Sequence, residues 1–444
     1  MKPDKAINRS DAMSAEIGTE RLTPIRRVPI RRGCERAESE FGAPTECFRL
    51  IPPALASLRS SRLCGLCSII LALCWLGFGC ATPKRTAEVF RADKLAAMDA
   101  AILRAIASNN CPGGVLWLER NGASYHKAFG NRALVPEREA MTEDTIFDAA
   151  SLTKVVAGTP AVMLLVERGA VTLDAPVKTY IAEFTGGGKD AVTVRQLLNH
   201  TSGLRPDIET KSDWRGQAEA VRKACEEEKL QTIPGTAFKY SDINFFLLGE
   251  IVQRVSGTGL EVFVQREIYG PLKMRDSGFL PPKEKLFRIA PTEAENGNPP
   301  WRGVVHDPTC RKMGGVAGHA GLFTTAADLA RYARMLVNLG ELDGVRIFKP
   351  ETVQLMTSVQ TPSELSVRRG LGWDIDSPYS GPRGEKFPPG SYGHTGWTGT
   401  SLWIDPFSKT FVIFLSNRNH PSGGNVSALR RELGTLAAEA VVGQ

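Results

Sequence analysis

The octapeptide Phe147-Asp148-Ala149-Ala150-Ser151-Leu152-Thr153-Lys154 carries the strongest indication of both architecture and chemistry in this chain. A serine and a lysine three residues apart at the start of a helix face the same side, so the amine can reach the hydroxyl. A partly buried lysine near other cations is neutral enough to help a serine lose its proton, and the helix N-terminus favours a developing oxyanion. The spacing favours Ser151 as a nucleophile with Lys154 as its partner, although a helix cap followed by a solvated lysine produces the same spacing by chance.

A second motif, Tyr240-Ser241-Asp242, follows Pro234-Gly235 and directly precedes a predicted helix. A tyrosine on a turn can present its phenol to a site, where adjacent lysines would lower its pKa and let it act as a base. The alternative is a core tyrosine with Ser241 or Asp242 as the helix N-cap.

A third motif, His394-Thr395-Gly396-Trp397-Thr398-Gly399, lies at the end of one predicted strand and leads into the next. Its two glycines let the backbone pass close to a ligand, so that main-chain N–H groups face a pocket. An ordinary glycine-bearing strand edge has the same composition.

Together, in this order, the three motifs resemble the serine β-lactamase and penicillin-binding superfamily, whose pattern is Ser-x-x-Lys, a tyrosine or serine motif, then Lys-Thr-Gly. More specifically, the chain resembles the class C β-lactamase, D-peptidase and esterase group over roughly residues 90–440. Residues 194–204 (VRQLLNHTSGL) and 240–249 are also typical of that group.

The resemblance implies a role for each matching residue. Ser151 would be acylated, Lys154 and Tyr240 would manage its proton, and the backbone N–H groups of Ser151 and Trp397 would form the oxyanion hole. His394 would take part in catalysis from the third motif. The residues implied in substrate binding are Asp242, Thr395, Gly396 and His319.

Two residues depart from the β-lactamase pattern. His394 occupies the position of a lysine, and Asp242 that of an asparagine. A histidine is mostly neutral at pH 7 and shorter than lysine, so recognition of a penicillin-like carboxylate should be weaker. Both replacements are common among the esterases and peptidases of the resembled group, and efficient β-lactamase action is not expected.

The stretch from Val305 to Phe323 resembles a branch associated with cell-wall peptide and amino-sugar fragments, including a penicillin-binding protein 4B-like carboxypeptidase. Its glycines would let the loop wall the cleft with His319 near the mouth; alternatively, His319 caps a backbone carbonyl. Zinc binding by His306 and His319 is disfavoured because the spacing suggests no third ligand. His200 is interpreted as a brace for its own turn.

Periodicity gives the element order. A helix is predicted over 88–108, then a hairpin of 114–120 and 123–130 with a type I′ turn at Asn121-Gly122. A helix is predicted over 152–168, kinked or shortened by Pro160. Helices dominate 190–340, with Thr325 as an N-cap. Strands then follow over 370–374, 391–394, 400–404 and 410–416, before a last helix over 425–441.

This order predicts an α/β (α+β) β-lactamase-like fold. Its antiparallel sheet is flanked by helices from both chain ends, and an all-helical region of about 190–340 is inserted. The catalytic domain is expected over 88–444, with the site in the crevice between sheet and helical region.

The front of the chain suggests export. Leu63–Ala81 is uncharged, follows Arg59 and Arg62, and ends beside Cys80, which resembles a lipid-attachment cysteine although Gly77 replaces the usual aliphatic residue. Lipidation, cleavage without lipid and a retained anchor remain open, and each places the protein in the periplasm or at the membrane. Residues 1–62 are interpreted as a disordered or non-native leader.

Composition argues against a nucleic-acid-binding protein, a disulfide scaffold and a metal cluster. The net charge of +7 is small for 444 residues and partly reflects basic residues near the start, so no nucleic-acid partner is indicated. Cys111, Cys225 and Cys310 are too scattered for a disulfide scaffold or metal cluster, although one disulfide stays possible. No metal or organic cofactor is expected.

The sequence therefore predicts a serine hydrolase that acts on a small molecule or cell-wall peptide, with peptides ending in D-alanine as the first choice and β-lactams as possible ligands. A carboxylesterase of the same fold is the nearest alternative. A protein that binds or senses penicillin without turnover is the alternative from another class.

Overall fold

This computed structural model describes residues 86–293 and 299–442. The leader, the apolar run at 63–81 and Cys80 lie outside the described residues, as do the predictions of export, lipidation and membrane anchoring that rest on them.

The sheet is antiparallel and draws its strands from both ends of the chain. The strands are β1 Gly113–Arg120, β2 Ala123–Ala133, β3 Glu139–Ala140, β4 Phe147–Asp148, β5 Phe323–Thr324, β6 Glu341–Leu342, β7 Val345–Arg346, β8 Arg368–Arg369, β9 Asp374–Asp376, β10 Tyr392–Thr395, β11 Ser401–Asp405 and β12 Thr410–Leu415. The strand order in the sheet is β3-β2-β1-β12-β11-β10-β9-β8, and β4–β5 and β6–β7 form two further pairs.

Helices cover both faces of this sheet. The α-helices are Thr86–Val89, Ala92–Ala107, Thr159–Glu167, Val194–Leu198, Gln217–Glu226, Asp242–Ser256, Leu260–Val264, Pro308–Lys312, Ala326–Val337, Pro350–Thr357 and Ser427–Ala440. Short 3₁₀ helices are Ala150–Leu152, Val177–Thr179, Lys189–Ala191, Lys283–Arg288 and Gly381–Arg383, and π-helical turns are Lys154–Gly158 and Gln265–Tyr269.

Strand alternation separates two cores. Leu116, Leu118 and Phe414 pack with the helices Ala92–Ala107 and Ser427–Ala440 on one face. Val115, Ile413 and Leu415 face the larger core of the inserted helical region. Successive strand residues point to opposite faces, so this division follows directly from the register. The predicted fold class is confirmed.

Two local predictions are confirmed in atomic detail. Asn121 and Gly122 have φ of 50° and 83°, as a type I′ turn between β1 and β2 requires. The Thr325 side chain accepts a hydrogen bond from the N–H of Asp328 and caps the helix Ala326–Val337.

The segment 370–374 was expected to be one strand, and this is wrong. The chain turns there between β8 and β9, with the N–H of Gly370 bonded to the carbonyl of Trp373 at 2.9 Å. Gly372 has φ of 79°, and an added Cβ would lie 2.1 Å from Thr159 Oγ1. Tertiary contact with the nucleophile helix therefore breaks the strand.

The nucleophile helix runs from Ala150 to Glu167 and is long and apolar enough to cross a bilayer, yet 83% of it is buried inside the fold. It begins as a 3₁₀ turn, widens into the π turn Lys154–Gly158 and continues as the α-helix Thr159–Glu167. Pro160 lies just after the π turn and supplies no N–H to the carbonyls of that turn. The hydroxyl of Tyr332 donates to the carbonyl of Val155 at 2.8 Å and that of Tyr269 to the carbonyl of Val156 at 3.1 Å, so the helix continues through the proline.

Candidate active site

The turn that carries Ser151 is fixed from two sides. Ala150 has φ of 47°, a strained value for a residue with a Cβ, and its N–H donates to the buried Asp148 carboxylate at 2.9 Å. Thr398 Oγ1 donates to the carbonyl of Asp148 at 2.7 Å, and Thr400 Oγ1 to that of Ala149 at 2.9 Å. The third motif therefore holds the nucleophile turn directly.

Lys154 is fully buried and reaches three oxygens. Its Nζ lies 3.2 Å from Ser151 Oγ, 3.2 Å from the carbonyl of His319 and 2.5 Å from Asp242 Oδ1. Burial lowers the pKa of Lys154, but Asp242 and Tyr240 outweigh it and raise the pKa above the ordinary value. The expectation of a lysine made neutral by nearby cations is wrong, because its nearest charged partner is a carboxylate.

Tyr240 completes the group around Ser151. Its phenol lies beside both Lys154 and Ser151, and Lys154 Nζ lies 4.9 Å from the ring centroid. Burial raises the pKa of Tyr240, and Asp242 adds to this while Lys154 opposes it. The sequence predicted that adjacent lysines would lower this pKa. Lys154 does lower it, but burial and Asp242 raise it by more.

His200 braces the tyrosine turn, whereas the sequence suggested that it braces its own turn. Its Nδ1 accepts the N–H of Ser241 at 3.1 Å, and its ring stacks on Tyr240 with centroids 4.5 Å apart. Burial, together with Arg369, Lys154 and His394, lowers the pKa of His200 well below its usual value. A neutral ring is what an acceptor Nδ1 requires.

Asp242 has a different task from the one expected. The sequence assigned it to substrate binding, yet Oδ1 pairs with Lys154, while its N–H donates to the carbonyl of Pro206 at 2.6 Å. An asparagine at this position would not supply the negative charge that holds the lysine as an ammonium.

Replacing Asp242 by asparagine should shift the pH dependence of activity. Without the carboxylate, burial dominates at Lys154 and lowers its pKa, so the free amine forms at lower pH. The rise of kcat/KM with increasing pH is expected to move to lower pH by about one unit or more. Asp376→Asn, which changes an exposed carboxylate on β9, serves as the control. An unchanged profile in Asp242→Asn would contradict this assignment.

His394 lies on β10 close to Tyr240, with ring centroids 6.1 Å apart. Its ring is buried, and Nδ1 lies 2.8 Å from the carbonyl of Thr395, which fixes Nδ1 as the donor and leaves Nε2 as an acceptor. Burial, with Arg369 and Lys154, lowers the pKa of His394 well below its ordinary value. This position therefore offers a substrate a neutral hydrogen-bond acceptor and no positive charge.

Gly396 lets β10 approach the nucleophile turn. An added Cβ would lie 2.1 Å from Thr400 Oγ1 and 2.4 Å from the carbonyl of Ala149. The carbonyl of Gly396 accepts a hydrogen bond from the buried Arg430 at 2.6 Å. The next residue, Trp397, has its side chain 43% exposed, and across residues 86–293 and 299–442 its N–H has no acceptor.

We expect Gly396→Ala to lower kcat by about a hundredfold or more, because the methyl group forces β10 away from Ser151 and misplaces an oxyanion donor. Gly381→Ala is the matched control, since an added Cβ there has no neighbour within 4 Å. Steady-state kinetics with circular dichroism on both variants would check this. Wild-type kcat in Gly396→Ala would contradict the close approach.

The structure corrects the predicted place of His319. Its side chain is 1% exposed, so it does not lie at the mouth of the cleft. Nor does its ring cap a carbonyl, because Nε2 pairs with Asp307 Oδ1 at 3.0 Å. The glycine-rich loop packs against both the nucleophile helix and the helix Asp242–Ser256. A Cβ on Gly158 would lie 2.6 Å from the carbonyl of Gly318, and a Cβ on Gly318 would lie 2.1 Å from the carbonyl of Phe245.

His306 and His319 have separate partners, since His306 Nε2 lies 3.1 Å from Glu293 Oε2. No group of three metal-ligating side chains is found in the described part of the chain. Cys111, Cys225 and Cys310 are buried free thiols, so the disulfide left open by the sequence does not form among them.

Sequence reasoning missed two carboxylates that support the site. Asp148 accepts the N–H groups of Ala150 and His306, the latter at 2.7 Å. Asp307 caps the helix Pro308–Lys312 and holds His319. An aspartate directly before an apolar run was a signal for the first, and Asp307-Pro308 is an ordinary helix start.

Comparison with known proteins agrees with this geometry. Residues 98–437 match the family model described as Beta-lactamase. The chain is 31% identical to a protein of Escherichia coli O157:H7 named "Putative D-alanyl-D-alanine carboxypeptidase", over 74% of this chain and 84% of that protein. It is also 31% identical to the "N-acetylmuramyl-L-alanine amidase" of Bacillus subtilis (strain 168), over 74% of this chain and 82% of the other.

Solved structures share the fold. A penicillin-binding protein homologue from Caulobacter crescentus superposes with a TM-score of 0.65 at 21% identity, covering 78% of this chain and 97% of that one. EstCE1, a hydrolase with promiscuous acyltransferase activity, superposes with a TM-score of 0.64 at 21% identity, covering 77% and 99%. By the family model and the 31% identical relatives, the chain belongs to the beta-lactamase family and is a serine hydrolase of that fold.

Proposed function

We propose that this protein is an exported hydrolase that cleaves cell-wall peptides through an acyl-enzyme at Ser151, with D-alanyl carboxypeptidase action as the first candidate. The observation that carries the proposal is the convergence of Ser151 Oγ and Lys154 Nζ, 3.2 Å apart, with the Tyr240 phenol beside both. Relatives named as a D-alanyl-D-alanine carboxypeptidase and an N-acetylmuramyl-L-alanine amidase favour a cell-wall amide as substrate, and a position in the 4B-like branch is part of the same proposal.

The reaction begins from the free-amine form of Lys154, which arises when the ammonium releases its excess proton to solvent. The free amine, with Tyr240, then accepts the proton of Ser151 while Oγ attacks the substrate carbonyl. The N–H groups of Ser151 and Trp397 stabilise the oxyanion. Tyr240 returns a proton to the leaving nitrogen or oxygen, which breaks the scissile bond and leaves the acyl group on Ser151. Water then attacks this ester by the reverse sequence.

His394 bears on substrate choice. As a neutral acceptor through Nε2 it suits a peptide N–H or a hydroxyl, and it does not attract the carboxylate of a β-lactam. Thr395 stays a candidate for substrate binding through its half-buried side chain, whereas Gly396 uses its N–H for the carbonyl of Thr400 and its carbonyl for Arg430, so it shapes the site and does not bind substrate through its main chain. This arrangement supports an amide or ester substrate over a β-lactam.

A carboxylesterase is the second candidate. It is favoured by the same uncharged His394, because a simple ester carries no carboxylate that needs a cation. A shared fold with EstCE1 agrees with this alternative.

The proposal is tested by incubating the protein with muropeptides ending in D-alanyl-D-alanine, amide-linked muramyl peptides, a cephalosporin and short-chain esters side by side. Steady release of D-alanine, or cleavage of the muramyl amide, is expected. Esters as the only compounds turned over would favour the second candidate. One equivalent of product followed by no turnover on every compound would identify a penicillin-binding or sensing protein instead.

A further inference from the structure

An ion pair lies next to Lys154, with the His319 ring buried and the Asp307 side chain 24% exposed. The main-chain carbonyl of His319 accepts a hydrogen bond from Lys154 Nζ at 3.2 Å. The ring of the same residue pairs with Asp307 at 3.0 Å, and only 1% of the side chain is exposed. One residue thus contacts the lysine through its backbone and Asp307 through its side chain.

Both members of the pair are held by rigid parts of the fold. Asp307 Oδ1 also accepts the N–H of Cys310 at 2.7 Å, and Cys310 Sγ donates to the carbonyl of Ala320 at 3.2 Å. On the other side of His319, Gly318 packs against the helix Asp242–Ser256 without room for a Cβ. The pair therefore fixes the one part of the loop that faces Lys154.

Given the proposed role of Lys154, on which this step rests, we propose that Asp307 and His319 form an imidazolium–carboxylate pair that positions Lys154 for the reaction at Ser151. His319 acts through its carbonyl, so it is a positioning residue and touches neither substrate nor Ser151. Loss of the positive charge on its ring weakens the pair and lets the carbonyl shift away from the ammonium.

The charges around the ring favour this protonated form. His319 faces Asp307 at the cap of the helix Pro308–Lys312, Asp242 from the tyrosine motif, Asp207 from the loop before it, and Lys154. Burial lowers the pKa of His319, but Asp307 and Asp242 overcome this and raise it. The pKa of Asp307 is lowered to about 2, since His319 outweighs its burial.

Asp207 completes the balance of charge. Burial, with Asp242 and Asp307, raises its pKa to about 7, and Thr309 Oγ1 donates to it at 2.6 Å. When Asp207 takes up a proton, Asp242 and Asp307 remain to balance Lys154 and His319.

The sign of the pH effect follows from the raised pKa of His319. The imidazolium is fully present below the ordinary histidine pKa and is lost as the pH rises through the raised value. A variant with a neutral side chain at 319 lacks the ion pair at every pH. The difference between wild type and variant should therefore be largest at low pH and disappear at high pH.

The test measures kcat and KM from pH 5 to 9 for His319→Gln, Asp307→Asn and the double variant, on whichever compound the wild type turns over. Wild-type kcat should exceed that of His319→Gln by about tenfold at pH 6, with KM nearly unchanged, and the ratio should approach one at alkaline pH. The double variant should lose no more than either single change, because the two residues act as a unit. His126→Gln, a change of an exposed histidine far along β2, is the control.

The results that would overturn the role of the ion pair differ from those that would overturn the proposed function. A ratio of wild-type to variant kcat that stays constant with pH, or additive losses in the double variant, would overturn the inference. If His319→Gln fails to fold, Asp307→Asn carries the test, since asparagine still caps the helix Pro308–Lys312. Stoichiometric labelling of Ser151 by a fluorophosphonate in every variant would leave the proposed function standing; absence of labelling in the wild type would remove it.

Discussion

Alanine in place of Ser151 should lower turnover of every substrate by about 10⁴-fold to 10⁶-fold, to a residual rate supplied by binding and the oxyanion donors alone. The hydroxyl is the group that becomes the acyl ester, and the neighbouring Lys154 amine and Tyr240 phenol carry its proton without replacing it as the nucleophile. The loss should be in kcat, with the melting temperature nearly unchanged, because the side chain is small and only half-buried. Chromogenic ester hydrolysis and calorimetry measure the two quantities.

The matched control for this change is Ser422→Ala, an exposed serine in the loop before the last helix. Its activity and stability should equal those of the wild type. A Ser151→Ala protein that retains wild-type hydrolysis would show that the nucleophile lies elsewhere.

Lys154→Met should remove activity and stability together. The ammonium is fully buried, and its loss leaves the Asp242 carboxylate with no cation at 2.5 Å. Removing one member of a buried ion pair costs about 3 kcal/mol or more, a figure reduced here because the side chain of Asp242 is 22% exposed. Denaturant unfolding and kcat measured on the same samples should both fall.

The double variant Lys154→Met/Asp242→Asn separates the two effects. With both charges gone, much of the stability should return, while kcat stays at the level of Lys154→Met because no amine is left to accept the proton. Lys178→Met, which breaks an exposed pair with Asp190, should leave the free energy of unfolding nearly unchanged. Full activity in the double variant would contradict the role of Lys154.

Much of the fold followed from local pattern. The Asn121-Gly122 turn, the Thr325 cap and the strand predicted over 410–416 depend on neighbouring residues alone, and the structure has the turn, the cap and the strand Thr410–Leu415 where the pattern predicted them. The segment 370–374 differed because its shape is set by Thr159, far away in the sequence. A contact between residues so far apart in the chain produces no periodicity in the local sequence.

The candidate active site could likewise be predicted only in part from the sequence. The three motifs could be read as one site from their order, but the charge of Lys154 depends on Asp242 and the neutrality of His394 depends partly on Arg369. Likewise, glycines at 314–321 fit an open loop as well as a tight one. Only the close approach of Gly318 to the carbonyl of Phe245 shows that this loop, with His319, is packed inside.

The most direct test of the account is to identify the residue that becomes covalently modified. The intact protein is treated with a fluorophosphonate or a slowly released acyl donor, digested, and sequenced by mass spectrometry. We predict one equivalent of label on Ser151, in the peptide that also contains Lys154, and slower labelling in Lys154→Met. Label on any other side chain, or none on a folded protein that still hydrolyses its substrate, would contradict the account.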